Sequence, residues 1–108
     1  HNWSPLNSEE SLLFKLIYKF MWYVYILECN DGSYYTGITN NLPQRIKTHN
    51  SGNSKSAKYT RSRLPVVLMT YWEFETKSEA AKEEYFIKQL SRKEKEALID
   101  FNSVSGGN

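Results

Sequence analysis

The chain has 108 residues, of which 40% are hydrophobic, 15% aromatic and 24% charged, a balance that suits one folded domain with one site and excludes a disordered chain or two separate cores. Cys29 is the sole cysteine, which excludes an internal disulfide and a Cys-based structural zinc site. A net charge of +2 decides little by itself, and no apolar run approaches the ~20 residues of a membrane span or forms a signal peptide, so a soluble cytoplasmic protein is expected.

Residues 1–20 read as a leader apart from the rest. Asn7 or Ser8 caps a short amphipathic helix with a stripe of Leu12, Leu13, Leu16, Ile17 and Phe20, and Met21 stands directly before the first strand. The leader is expected to be non-native or flexible and is set aside from the functional reading. WYVYILE (22–28) is β-branched and aromatic, Asn30-Asp31-Gly32 supplies a turn, and SYYTGIT (33–39) is its hairpin partner. Asn40 or Asn41 then offers an N-cap, Pro43 suits a first helical turn and Gly52 closes a helix over 42–51.

A basic loop follows. Between Asp31 and Glu73 there is no acidic residue, whereas Arg45, Lys47, Lys55, Lys58, Arg61 and Arg63 all fall there. Such a segment suits a polyanion, because each cation near a phosphate releases condensed counterions; the alternative is a solvated loop. After Pro65, VVLMTYWEF (66–74) reads as a buried third strand. Thr76 with Glu79 makes a capping box for a helix through about residue 90, and Ser91 with Glu94 repeats it for a last helix ending near Ile99. The order β-β-α-β-α-α predicts an α+β domain over 21–102, with a three-stranded, mainly antiparallel sheet flanked by helices. The Ser- and Gly-rich tail, 103–108, is expected to be disordered.

Three groups carry chemistry. Tyr25 and Tyr35 lie on paired strands, and their phenols can face the start of the first domain helix, though tyrosine is also an ordinary strand residue. Arg45 and His49, spaced i, i+4, share a helical face, read here as opposite the side that Leu42 and Ile46 turn to the core. An arginine offers fixed donors to phosphate and a histidine can move a proton near neutral pH; the alternative is a solvated pair. Glu84 falls inside the apolar arc of Ala80, Ala81, Ile87 and Leu90, where a carboxylate needs a cation, a partner or a water-filled cleft. An ion pair with Arg45 is the rival reading there.

Together these residues resemble the GIY-YIG nuclease superfamily over essentially the whole domain. The two half-motifs read Tyr23-Val24-Tyr25 and Tyr35-Thr36-Gly37. The closer similarity is to the small stand-alone bacterial members, with YVYIL, YTGIT, an R-x-x-x-H helix, AKYTR and E-Y-x-x-K following in order. Tyr23 replaces the leading glycine, Thr36 the central isoleucine of the second half, and Ser91-Arg92-Lys93 occupies the place where many members carry an asparagine.

The resemblance implies a nuclease with Tyr25, Tyr35, Arg45 and His49 as catalytic residues, Gly37 as the structural glycine and Glu84 as the metal ligand. One Mg²⁺ or Mn²⁺ completed by water and phosphate oxygens would suffice. No small-molecule cofactor is expected. A water oriented by Arg45 would be deprotonated through Tyr25, with Tyr35 or His49 assisting, provided that Arg45 and the basic loop bring the phenol below its usual pKa of ~10. Lys55, Lys58, Tyr59, Arg61 and Arg63 are the expected contacts to branched or duplex DNA. Lacking an attached recognition domain, the protein would act structure-selectively or without sequence specificity. The alternative function is a non-catalytic nucleic-acid-binding module, with Trp22, Tyr59 or Tyr71 stacking on bases.

Overall fold

The computed structural model describes residues 7–103. The Asn7 carboxamide oxygen accepts from the Glu10 amide at 2.8 Å, and the Glu10 carboxylate accepts from the Asn7 amide at 3.1 Å. These reciprocal bonds open helix α1 (Ser8–Lys19). Its apolar stripe, Leu12, Leu13, Leu16, Ile17 and Phe20, is exposed.

β1 (Trp22–Glu28) and β2 (Tyr34–Thr39) form the expected hairpin, turning at Gly32, whose φ of +85° suits a residue without a Cβ. Their antiparallel register sets Tyr25 opposite Gly37 and Leu27 opposite Tyr35. β3 (Val67–Phe74) pairs antiparallel with the other edge of β1, giving the order β2-β1-β3. A central strand is covered on both faces, and its alternation divides the core in two. Val24 and Ile26 pack with Ala80, Ile87 and Ile99 beneath the last two helices. Tyr25 and Leu27 pack on the other face with Leu42, Ile46 and Val66.

Helix α2 (Leu42–Ser51) is capped by Asn41, whose side chain accepts from the Gln44 amide at 3.3 Å, and ends at Gly52 with φ +68°. The basic loop contains a single helical turn, α3 (Lys58–Arg61), too short to show in any apolar periodicity. Both predicted capping boxes are present, Thr76/Glu79 opening α4 (Lys77–Lys88) and Ser91/Glu94 opening α5 (Arg92–Phe101). α4 thus stops two residues short of Leu90, and α5 extends two beyond Ile99, where the Asn102 carboxamide ties its end to Thr70 and the Tyr71 carbonyl. The tail beyond Ser103 lies outside the described residues. Among those described, no helix is long and apolar enough to cross a membrane.

Candidate functional site

The site grows from the pairing of Tyr25 with Gly37. A Cβ on residue 37 would stand 2.5 Å from the Tyr25 hydroxyl, so only glycine leaves the ring its place over β2. From there the phenol reaches α2, where its oxygen lies 2.9 Å from His49 Nε2. His49 Nδ1 is in turn 2.9 Å from the Thr60 hydroxyl of α3, and that hydroxyl donates to the Ala57 carbonyl at 3.1 Å. Tyr25 is 1% exposed, and His49 and Thr60 are fully enclosed.

This corrects the wheel reading of α2. Positions 42, 45, 46 and 49 follow i, i+3, i+4, i+7, and at about 100° per residue they share one stripe. Arg45 and His49 therefore turn inward with Leu42 and Ile46 instead of opposing them. His49 is a core residue, and Arg45 is half-buried beside it. The Arg45 guanidinium donates to the Lys55 carbonyl at 2.8 Å and lies beside the Tyr25 hydroxyl.

Burial governs both titratable partners. It pushes the Tyr25 phenol up to about 12, the hydrogen bond and charge of Arg45 working against the rise, with Tyr35 and the Glu84 charge adding to it. The expected depression of the phenol is thus overturned: desolvation outweighs the cation. Burial, then the charge of Arg45, pushes His49 down to about 4. At neutral pH the pair is a phenol and a neutral imidazole.

Tyr35 stands against the same histidine, with ring centroids 5.3 Å apart, and 6.3 Å from the Tyr25 ring. Its outer side stacks on Tyr59 at 6.2 Å. Tyr35, Tyr59, Tyr34, Thr36, Lys88 and Lys95 line a cleft of about 180 Å³. Glu84 sits on α4, which packs along β1 and β2 on the face away from α2. Its charge nonetheless acts on the Tyr25 hydroxyl. The rival pairing of Glu84 with Arg45 does not form. Glu84 instead binds Lys88 at 3.3 Å, one turn along its own helix, with 22% of its side chain exposed. Ala81, placed in the same apolar arc, is exposed.

Among the described residues no cluster of three or more His, Cys, Asp or Glu could cage an ion. A lone, partly exposed carboxylate fits Mg²⁺ or Mn²⁺ that keeps water and takes substrate oxygens, and does not fit an all-protein zinc or calcium site.

The basic loop is less free than its sequence reads. Arg63 binds Asp31 at 3.0 Å and lies 3.9 Å above the Tyr59 ring, and Arg61 donates to the Ser56 carbonyl at 3.1 Å. Lys55 and Lys58 are exposed. Tyr59 is exposed at 39%, whereas Trp22 and Tyr71 are partly buried, packed against the two cores. Sequence reasoning passed over Thr60 and Lys88. The i, i+4 spacing and the E-Y-x-x-K run signal Lys88, and Thr60 lies in the AKYTR run, but its meeting with His49 arises only once the loop folds back.

A family model described as the GIY-YIG catalytic domain matches residues 21–97. The UPF0213 protein BH0048 of Halalkalibacterium halodurans is 54% identical over 85 residues, 79% of this chain and 85% of that one. A UPF0213 protein of Halobacterium salinarum is 54% identical over 79 residues, covering 73% of this chain and all (100%) of its own. The solution NMR structure of the UPF0213 protein BH0048 superposes with a TM-score of 0.52 at 51% identity, covering 78% of this chain and 87% of that one. That of the protein EF2693 from E. faecalis gives 0.52 at 42% identity, covering 75% and 84%.

Proposed function

The chain belongs to the GIY-YIG catalytic domain family, and from that premise we propose that it is a metal-dependent DNA endonuclease, structure-selective or non-specific, that cleaves phosphodiesters by in-line attack of water. The observation that carries this reading is the meeting of Tyr25, Tyr35 and His49, with Arg45 half-buried beside them, at one place.

Each group has a task. Arg45 orients the attacking water and the phosphate, its fork of donors matching an oxyanion. The water gives its proton to the Tyr25 oxygen as the phenolic hydrogen passes to His49 Nε2, so the phenol relays a proton and need not ionise in advance. His49 is neutral and so offers a lone pair for that hydrogen, while the burial that keeps it neutral also makes it a weak base. Tyr35 holds the imidazole in place and, with Tyr59 and Lys88, forms the cleft wall that a strand would follow. Glu84 would hold a divalent ion, which when bound stabilises the charge developing on the phosphate and leaving oxygen. Lys55, Lys58, Arg61 and Arg63 would steer the backbone toward the site.

The second reading, a non-catalytic binding module, draws on the exposed Tyr59–Arg63 stack but gives no reason for a carboxylate near a surface that must attract phosphate. Incubating the chain with branched, nicked, flapped and linear DNA duplexes, with Mg²⁺ and with Mn²⁺, decides between them. Metal-dependent cutting of at least one substrate is expected. Tight, salt-sensitive binding without cleavage of any would leave the module.

A further inference from the structure

We infer that Thr60 is a positioning residue for this site: its hydroxyl holds His49 in the tautomer with the hydrogen on Nδ1, leaving Nε2 bare toward the Tyr25 phenol. The inference rests on the proposed nuclease reaction for its use, and on hydrogen counting for its geometry.

Two independent counts give the same direction. At one end, Thr60 has a single hydroxyl hydrogen. Directed at the Ala57 carbonyl three residues back, as helical threonines commonly direct it, it leaves only lone pairs toward His49, so Nδ1 must be the donor across the 2.9 Å contact. At the other end, the hydrogen-bond partner of the buried Tyr25 hydroxyl is His49 Nε2, and the charged group beside it is the Arg45 guanidinium. A guanidinium has hydrogens and no lone pair to offer, so the phenolic hydrogen has one acceptor, a bare Nε2. The reverse arrangement, with a hydrogen on Nε2, would leave the phenolic hydrogen buried without an acceptor.

The chain therefore runs one way, from the Tyr25 hydroxyl to Nε2, from Nδ1 to Thr60, and from Thr60 to the Ala57 carbonyl. When the reaction proceeds, the Tyr25 O–H bond breaks and an N–H bond forms at Nε2. The imidazolium keeps its Nδ1 hydrogen on Thr60. Without the threonine oxygen, an Nδ1 hydrogen is buried with no acceptor, a penalty that opposes the preference set at the Tyr25 end, and a hydrogen on Nε2 closes the path.

The test uses the full chain labelled with ¹⁵N-histidine, with long-range ¹H–¹⁵N correlation spectra at neutral pH; His1→Ala assigns the second histidine. In the unmodified protein the His49 Nδ1 should resonate as a protonated, pyrrole-type nitrogen and Nε2 as a bare, pyridine-type one. Thr60→Ser should keep that pattern and keep cleavage. Thr60→Val, nearly the same shape without the hydroxyl, should move His49 toward the Nε2–H form and lower kcat roughly 10²-fold with KM unchanged.

A protonated Nε2 in the unmodified protein overturns the inference, as does a Thr60→Val protein that retains both tautomer and kcat. If Thr60→Val fails to fold, the unmodified spectrum together with Thr60→Ser decides. A protein that cleaves nothing sinks the nuclease reading, and the spectrum still settles which way Thr60 sets the imidazole.

Discussion

Tyr25 and Gly37 face each other across the β1–β2 register, and the tyrosine hydroxyl occupies space that any side chain on residue 37 would need. The backbone of Gly37 is not left-handed, so its requirement is for room alone. Gly37→Ala should cost about 1–3 kcal/mol, the usual range for overpacking a tight interior. It should reduce cleavage by more than that loss of fold explains, because the displaced ring leaves His49. Urea unfolding gives the first quantity, and single-turnover cleavage at a temperature where both proteins are folded gives the second. A stable Gly37→Ala protein with unchanged cleavage would show that the close approach has no catalytic consequence.

Glu84→Gln separates enzyme from binder. The amide keeps the size of the carboxylate but removes the charge that would hold the ion, and it also releases Lys88 from its 3.3 Å ion pair. Cleavage should fall by orders of magnitude, while metal-free DNA binding stays the same or improves, since a negative charge near the phosphate has gone and a lysine at the cleft is freed. Lys88→Met should lower the Mg²⁺ concentration needed for half-maximal cleavage, because the ammonium competes for the same carboxylate. Indifference of both metal affinity and cleavage to Glu84→Gln would make that carboxylate structural.

His49 gives the fold a pH signature. Its pKa of about 4 in the folded state lies below the ordinary 6.5, so between those values the unfolded chain binds more protons and stability rises with pH. The contribution is complete above about 6.5, is lost as the pH falls toward 4, and amounts to at most about 3 kcal/mol. Unfolding free energies at pH 4 and 7, compared between the unmodified chain and His49→Asn, isolate it. The slope should be shallower in the variant; equal slopes would mean that the histidine is not held neutral. For the same reason, cleavage should show no acid limb near pH 6.5.

The hairpin and the helix starts were legible because their signals are local. Asn-Asp-Gly turns the chain, Asn41 caps α2, and two capping boxes open α4 and α5. The tyrosine, arginine and histidine positions were legible as types in order, but not their burial. A polar pair at i, i+4 reads as a surface face, and only the packing of β1 reveals that the α2 stripe runs through Arg45 and His49. What escaped the sequence altogether is non-local. Asp31 and Arg63 are 32 positions apart, Thr60 reaches His49 across 11, and α3 has four residues. Desolvation of Tyr25 was likewise hidden, since its size depends on how completely the core encloses the phenol.

The Asp31–Arg63 pair changes what the basic loop should do on DNA. An acid-free run suggested that Lys55, Lys58, Arg61 and Arg63 contribute alike, but Arg63 already has a carboxylate at 3.0 Å and Arg61 a carbonyl at 3.1 Å. Lys55 and Lys58 are exposed, and each phosphate that a cation neutralises adds ~0.9 to the slope of log affinity against log salt. Replacing Lys55 and Lys58 together by Gln should flatten that slope by roughly 2, whereas Arg63→Gln should change it less. Asp31→Asn should act in the opposite sense. An exposed ion pair contributes only about 0–1 kcal/mol to stability, so the fold should survive while the freed guanidinium over Tyr59 becomes available to phosphate, tightening binding at low salt and steepening the slope. Fluorescence anisotropy titrations of duplex DNA across a salt series measure all three variants. If Asp31→Asn leaves both affinity and slope unchanged, the Tyr59–Arg63 stack does not meet the backbone, and the DNA path runs over the other cations of the loop and cleft.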